Sequence, residues 1–124
     1  MMDHCGISVA DVAASARFYD AVLAPLGHTR QVDSGVAIGY GADGEAGFWI
    51  AGPAPGASNR ESHLAFAAPD EAAVDAFFVA AQEMGADVVD VPQVWPEYHA
   101  HYYGAFVRDP DGNNVEAVCH TAGS

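Results

Sequence analysis

His4-Cys-Gly-Ile-Ser-Val-Ala-Asp11 is answered 59 positions later by His63-Leu-Ala-Phe-Ala-Ala-Pro-Asp70. Both segments open on a histidine and alternate their side chains. Cys5, Ile7 and Val9 fall on one face of the first, Leu64, Phe66 and Ala68 on one face of the second, so each reads as a short strand with one apolar face. A helix start follows each, at Asp11 and at Pro69-Asp70-Glu71. Val12, Ala16, Tyr19 and Leu23 then recur at helical spacing until Pro25 and Gly27, as do Val74, Phe77, Phe78 and Ala81 until Gly85. The same offset pairs Phe18 with Phe77.

Extended pieces complete each copy. In the first they are predicted around Thr29 to Val32, Val36 to Tyr40 and Gly47 to Ala51, parted by Asp33-Ser34-Gly35 and Gly41-Ala-Asp-Gly44 turns. The second has Val88 to Val91, a loop over residues 92–97, and a hairpin folded at Asp109-Pro-Asp-Gly112. Residues 52–62, rich in proline, glycine and small polar side chains, read as a linker. A unit of about 55 residues is too small to cover both faces of its own sheet. The expected fold is therefore α+β: two tandem strand-helix-strands modules side by side, sharing one core. They make one domain over 1–124, with module one about 3–51 and module two 63–120.

The histidine faces are lined by small residues, Gly6 and Ser8 in one copy and Ala65 and Ala67 in the other, which leaves space for a ligand. On the last strand Val115, Ala117 and Cys119 form the apolar set, so Glu116 points to the histidine side. If Asp109 and Gly112 close the hairpin, position 105 faces 116, and Tyr103 and His101 look into the cleft. A bulge at Gly112 would shift this by one residue and present Tyr102. Two imidazoles and a carboxylate suit a divalent ion such as iron, manganese, zinc, nickel or cobalt that also holds a substrate oxygen. Singly, a strand histidine is more often structural than a ligand; the repeat is what raises His4, His63 and Glu116 together.

With 51% apolar and 17% charged residues the chain is too apolar for disorder, even at a formal net charge of −13. There is no lysine, and that charge balance disfavours nucleic acid and anionic membrane surfaces as partners. The first residues lack the pattern of a signal peptide and no apolar run has the length of a membrane span, so a cytoplasmic protein is expected. Cys5 and Cys119 are expected to be reduced.

Three stretches carry a resemblance: His4 to Tyr19, His63 to Asp70, and Phe106-Val-Arg-Asp-Pro-Asp-Gly-Asn-Asn-Val-Glu116. Together they resemble the vicinal oxygen chelate superfamily of glyoxalases, extradiol dioxygenases, thiol-transferring fosfomycin-resistance enzymes and bleomycin-resistance binding proteins. The resemblance implies two tandem βαβββ modules forming a curved mixed sheet around a metal-binding cleft, a homodimer, and metal ligands at His4, His63 and Glu116. In the lyases of that group a fourth ligand lies on the last strand of the first module; here that strand is Gly47-Phe-Trp-Ile50, without a carboxylate. Phe48, Trp49 and Tyr102 are then pocket residues, and His99, His101 or Tyr103 supplies proton transfer. The implied function is a metal-dependent enzyme acting on a small substrate chelated through vicinal oxygens. The competing one is a metal-free protein that sequesters a small molecule, of the bleomycin-resistance type.

Overall fold

One device starts both helices. In the computed structural model, which describes residues 3–52, 62–98 and 100–120, Asp11 Oδ1 accepts the backbone N–H of Ala14 at 3.1 Å and Asp70 Oδ1 that of Ala73 at 2.8 Å. These are N–H groups with no partner inside the helix. Helix α1 spans Val12–Leu23 and α2 spans Glu71–Glu83. Their apolar stripes bury Tyr19, Val22 and Leu23 in one and Val74, Phe77 and Ala81 in the other. A 3-10 turn, Ala24–Leu26, extends α1 until Gly27 at φ 90° stops it.

The strands are β1 Cys5–Ser8, β2 Thr29–Asp33, β3 Ala37–Ala42, β4 Glu45–Ala51, β5 His63–Ala67, β6 Val88–Val94, β7 Tyr103–Arg108 and β8 Asn114–Cys119. They form two four-stranded mixed sheets in the orders β1-β4-β3-β2 and β5-β8-β7-β6. In each, the strand before the helix pairs parallel with the last strand of its module, and the other pairings are antiparallel. The repeat seen in the sequence is thus a repeat of βαβββ topology.

The modules share one core. Buried side chains of α1, β3 and β4 form a single cluster with those of α2, β7 and β8, and Phe48 meets Phe66 edge to face with ring centroids 5.1 Å apart. Each large apolar side chain so buried stabilises the fold by about 1.5–3 kcal/mol.

The β7–β8 turn adds a polar clasp. Asp109, 5% exposed, accepts the Tyr19 hydroxyl at 2.6 Å, the Asn113 side-chain amide at 2.8 Å, and the N–H groups of Asp111 and Asn113. Asp111 accepts the Ala10 N–H at 3.0 Å and the Ser15 hydroxyl at 3.3 Å. A turn of the second module is thereby bound to the start of α1 in the first.

Two local expectations are corrected. The hairpin aligns Phe106, not residue 105, with Glu116. The turn includes Asn113: Gly112, at φ 84°, donates its N–H to Asp109 O, and Asp109 donates its own N–H to Asn113 O. This extra residue in the turn shifts every pairing by one. Strand β6 also runs on through Pro92 to Val94. A proline is tolerated because β6 is the edge strand and its pairing with β7 is irregular between Asp90 and Gln93.

Candidate active site on the second sheet

Register decides which side chains share the face opposite the helix. Ala65, Glu116 and Phe106 lie abreast on β5, β8 and β7, so with a period of two His63 and Gly104 join them, while Tyr103 turns to the helix side. Glu116 is 2% exposed. A buried carboxylate is costly unless hydrogen-bonded, and both of its oxygens are engaged. Oε1 lies 2.6 Å from His63 Nε2, and Oε2 accepts the Tyr102 hydroxyl. His63 itself keeps 56% of its side chain exposed, so the pair runs from the interior to the surface.

Tyr102 reaches Glu116 because position 104 is glycine. A Cβ there would come within 3.2 Å of the Tyr102 ring, 3.3 Å of Ala117 O and 3.5 Å of Glu116 Oε2. The Trp95 indole donates to Gly104 O at 3.1 Å and its backbone N–H to Tyr102 O at 2.8 Å, pinning the β6–β7 loop beside the carboxylate. Burial, reinforced by the bond to Glu116, raises the Tyr102 phenol above its ordinary range. At neutral pH it is a donor, not a base.

Rings surround this cluster. Phe106 lies near His63 and Trp95, at 6.3 and 5.4 Å between centroids. Tyr98 lies 4.8 Å from Tyr102 and His120 lies 5.4 Å from it, between ring centroids. Gly104, Phe106, Tyr98 and His120 were not singled out from the sequence. Counting Asn113 into the turn is the signal that would have placed the first two.

The remaining expected residues are distributed as follows. His4 lies just before β1 and is exposed, with its Nδ1 2.8 Å from Asp3 Oδ1. Among the described residues no group of three or more histidine, cysteine, aspartate or glutamate side chains is gathered to hold a metal ion. Trp49 pairs with Gly6 as Glu116 pairs with Ala65, so the tryptophan holds in the first sheet the position that the carboxylate holds in the second. Its ring lies over Gly39, where a Cβ would come within 3.0 Å of it. Phe48 is 7% exposed and packs on Tyr19 and Phe66.

Tyr103, expected in the cleft, donates instead to Asp75 Oδ1 on α2 at 2.6 Å. Burial and that carboxylate push its phenol up to about 12. The cause of the misplacement is the one-residue register shift. Tyr102 takes its place, as the bulged alternative anticipated. His101 is exposed on the turn before Tyr102, and His99 lies outside the described residues.

The family model for the glyoxalase/bleomycin resistance protein/dioxygenase superfamily matches residues 1–117. The chain belongs to this superfamily. A glyoxalase/bleomycin resistance protein from Albidiferax ferrireducens is 31% identical, with a TM-score of 0.84 over 96% of this chain and 98% of that one. The lactoylglutathione lyase from Agrobacterium tumefaciens is 21% identical at TM-score 0.69, over 96% and 92% of the two chains. Oxidase ChaP-H1 is 23% identical at TM-score 0.71, over 100% and 98%. The last two are likenesses of fold alone. No curated protein matches the chain. Among the described residues no helix is long and apolar enough to cross a membrane. Structures of this fold include a lactoylglutathione lyase and an oxidase, so the fold by itself selects no reaction.

Proposed function

We propose that the protein is a divalent-metal-dependent enzyme acting on a small substrate bound through vicinal oxygens, with His63 and Glu116 as resident ligands and His4 as the third. The supporting observation is the buried Glu116 carboxylate with the His63 imidazole on its outward oxygen, 2.6 Å away. An imidazole nitrogen and a carboxylate oxygen held side by side are the donors that iron, manganese, zinc, nickel and cobalt accept. Two of the three donors meet. The third, His4, is not on the lining of the cavity that Asp3, Cys5 and His63 share, and in this reading it is brought to the pair by assembly of the chains.

A bound ion would supply Lewis acidity toward a substrate oxygen. The protein's own groups do the rest. Tyr102 occupies Oε2 of Glu116 and so fixes which carboxylate oxygen faces outward. Small neighbours, Ala65 and Gly104, leave room over the pair. His101 provides proton transfer at neutral pH in this reading, and Trp49 with Tyr102 borders the substrate.

The protein is a homodimer in this reading, which allows His4 to come from either copy. Mixing His4→Ala chains with Glu116→Gln chains tests that directly. If His4 is supplied across the dimer, mixed dimers regain one intact site of two, and metal binding returns on mixing. A site contained within one chain shows no recovery.

The ring belt of Trp95, Tyr98, Tyr102 and Phe106 favours a second reading, sequestration of a small molecule without metal. Metal content separates the two. Protein purified without an affinity tag carries transition metal in the enzyme reading, and neither carries nor tightly takes it up in the other.

A further inference from the structure

The residue of β8 that stands abreast of His63 is Asn114; Glu116 stands abreast of Ala65. The 2.6 Å contact from His63 Nε2 to Glu116 Oε1 is therefore a diagonal reach along the neighbouring strand. With a period of two, Asn114 shares the open face with Glu116. Its backbone is fixed beside His63, because its N–H donates to Ser62 O at 2.9 Å and Asn113 Oδ1 accepts the Ser62 N–H at 2.8 Å. Its side-chain oxygen is not: Asn114 Oδ1 is buried, and among the described residues no donor reaches it. A buried acceptor without a donor is costly, so its place beside a proposed ligand needs a reason.

The imidazole can supply the missing donor. Glu116 accepts the Tyr102 hydroxyl on Oε2 and the His63 ring on Oε1, which puts the ring proton on Nε2. A neutral imidazole carries one such proton. To act as a ligand through Nε2, His63 must give up the bond to Glu116 and hold its proton on Nδ1, and a ligating histidine almost always donates that second N–H to an acceptor beside it. We infer that Asn114 is a positioning residue of the metal site: once His63 and Glu116 are both ligands, His63 relaxes its diagonal reach, and Asn114 Oδ1 accepts its Nδ1–H. This deepens the function proposed above and rests on it in one respect, that His63 is a ligand through Nε2.

The test uses the full untagged chain with zinc as the probe, because zinc is diamagnetic and leaves nitrogen-bound ring protons visible by NMR. In the zinc-loaded wild type the His63 ring is expected as the Nδ1–H tautomer, with a slowly exchanging proton resonance. Asn114→Leu keeps the size of the side chain and removes the acceptor. It is expected to lose that resonance and to bind zinc about 10–100-fold more weakly. Its metal-free melting temperature is not lowered, since Oδ1 has no bond to lose in that state. Asn114→Asp, which keeps an acceptor, retains both the resonance and the affinity.

An Nε2–H tautomer of His63 in the zinc-loaded wild type overturns the inference, whether or not Asn114→Leu folds. So does an Asn114→Leu chain that keeps the protected Nδ1–H or binds zinc as tightly as the wild type. Equal weakening in Asn114→Leu and Asn114→Asp also overturns it, because a purely structural amide would give that result. The two readings fail separately. Zinc held by His63 and Glu116 with no effect of Asn114→Leu removes the role of Asn114 alone, whereas a wild-type chain that takes up no zinc tightly removes the metal site and this inference with it.

Discussion

Replacing Tyr102 with phenylalanine removes one hydroxyl and leaves Glu116 Oε2 buried without its donor. An orphaned buried acceptor costs about 1–3 kcal/mol, so Tyr102→Phe lowers the denaturation midpoint and also loosens metal binding. Tyr103→Phe is the matched control. It deletes the bond to Asp75 on the helix side, costs about 0.5–1.5 kcal/mol, and leaves metal affinity unchanged. Equal effects of the two on metal affinity would show that Tyr102 does not position the carboxylate. Gly104→Ala must displace the Tyr102 ring from 3.2 Å, and is expected to reproduce the Tyr102→Phe loss of metal affinity although it touches no proposed ligand. At this scale alternation set Glu116 and His63 on the same side of their strands, and the repeat was needed to bring them together. It could not choose between Tyr102 and Tyr103, because a single residue in a turn inverts the face.

At the scale of elements, the helices and their strands were legible because the signals were local and doubled. Asp11 and Asp70 cap as their shared position in the repeat implied, and Phe18 and Phe77 are both buried. Asp11→Ala and Asp70→Ala should each cost about 0.5–2 kcal/mol in chemical denaturation. The Asp109–Asn113 turn is a different case. Read from sequence it is a hairpin turn; in the fold it also holds the second module onto α1 through Asp111 and Asp109. Long-range bonds of this kind leave no periodic trace. The loop at Pro92 was misplaced for a related reason, since whether a proline can stay in a strand depends on whether that strand is an edge. The linker expected at residues 52–62 lies mostly outside the described residues.

For the whole molecule, ionisation sets how stability varies with pH. Burial raises the phenols of Tyr19, Tyr40, Tyr102 and Tyr103, helped by the carboxylates of Asp109, Asp20, Glu116 and Asp75 in turn. In the unfolded chain the same groups ionise near the ordinary tyrosine value of about 10. Stability is therefore full below about pH 10 and falls as pH rises beyond it. In Tyr98→Phe chains, where only these four phenols remain, tyrosinate absorbance should appear together with loss of far-ultraviolet circular dichroism, and a tyrosinate signal near pH 10 from such a chain still folded would contradict this.

At the acid end the opposite sign holds. The Arg30 guanidinium, with Tyr40, keeps the Asp20 carboxyl below its usual value against the effect of burial, so this small contribution is present above the ordinary carboxylate range and fades as pH falls through the lowered one.

The account's central claim is that the sheet faces carrying His63, Glu116 and His4 assemble one metal-dependent site. Bound transition metal per chain, measured on untagged protein and on His4→Ala, His63→Ala and Glu116→Ala, tests it most directly. The account predicts about one ion per chain in the wild type and clear loss in each variant. A wild-type protein that carries none and takes none up tightly, or a triple variant that keeps its metal, would contradict it.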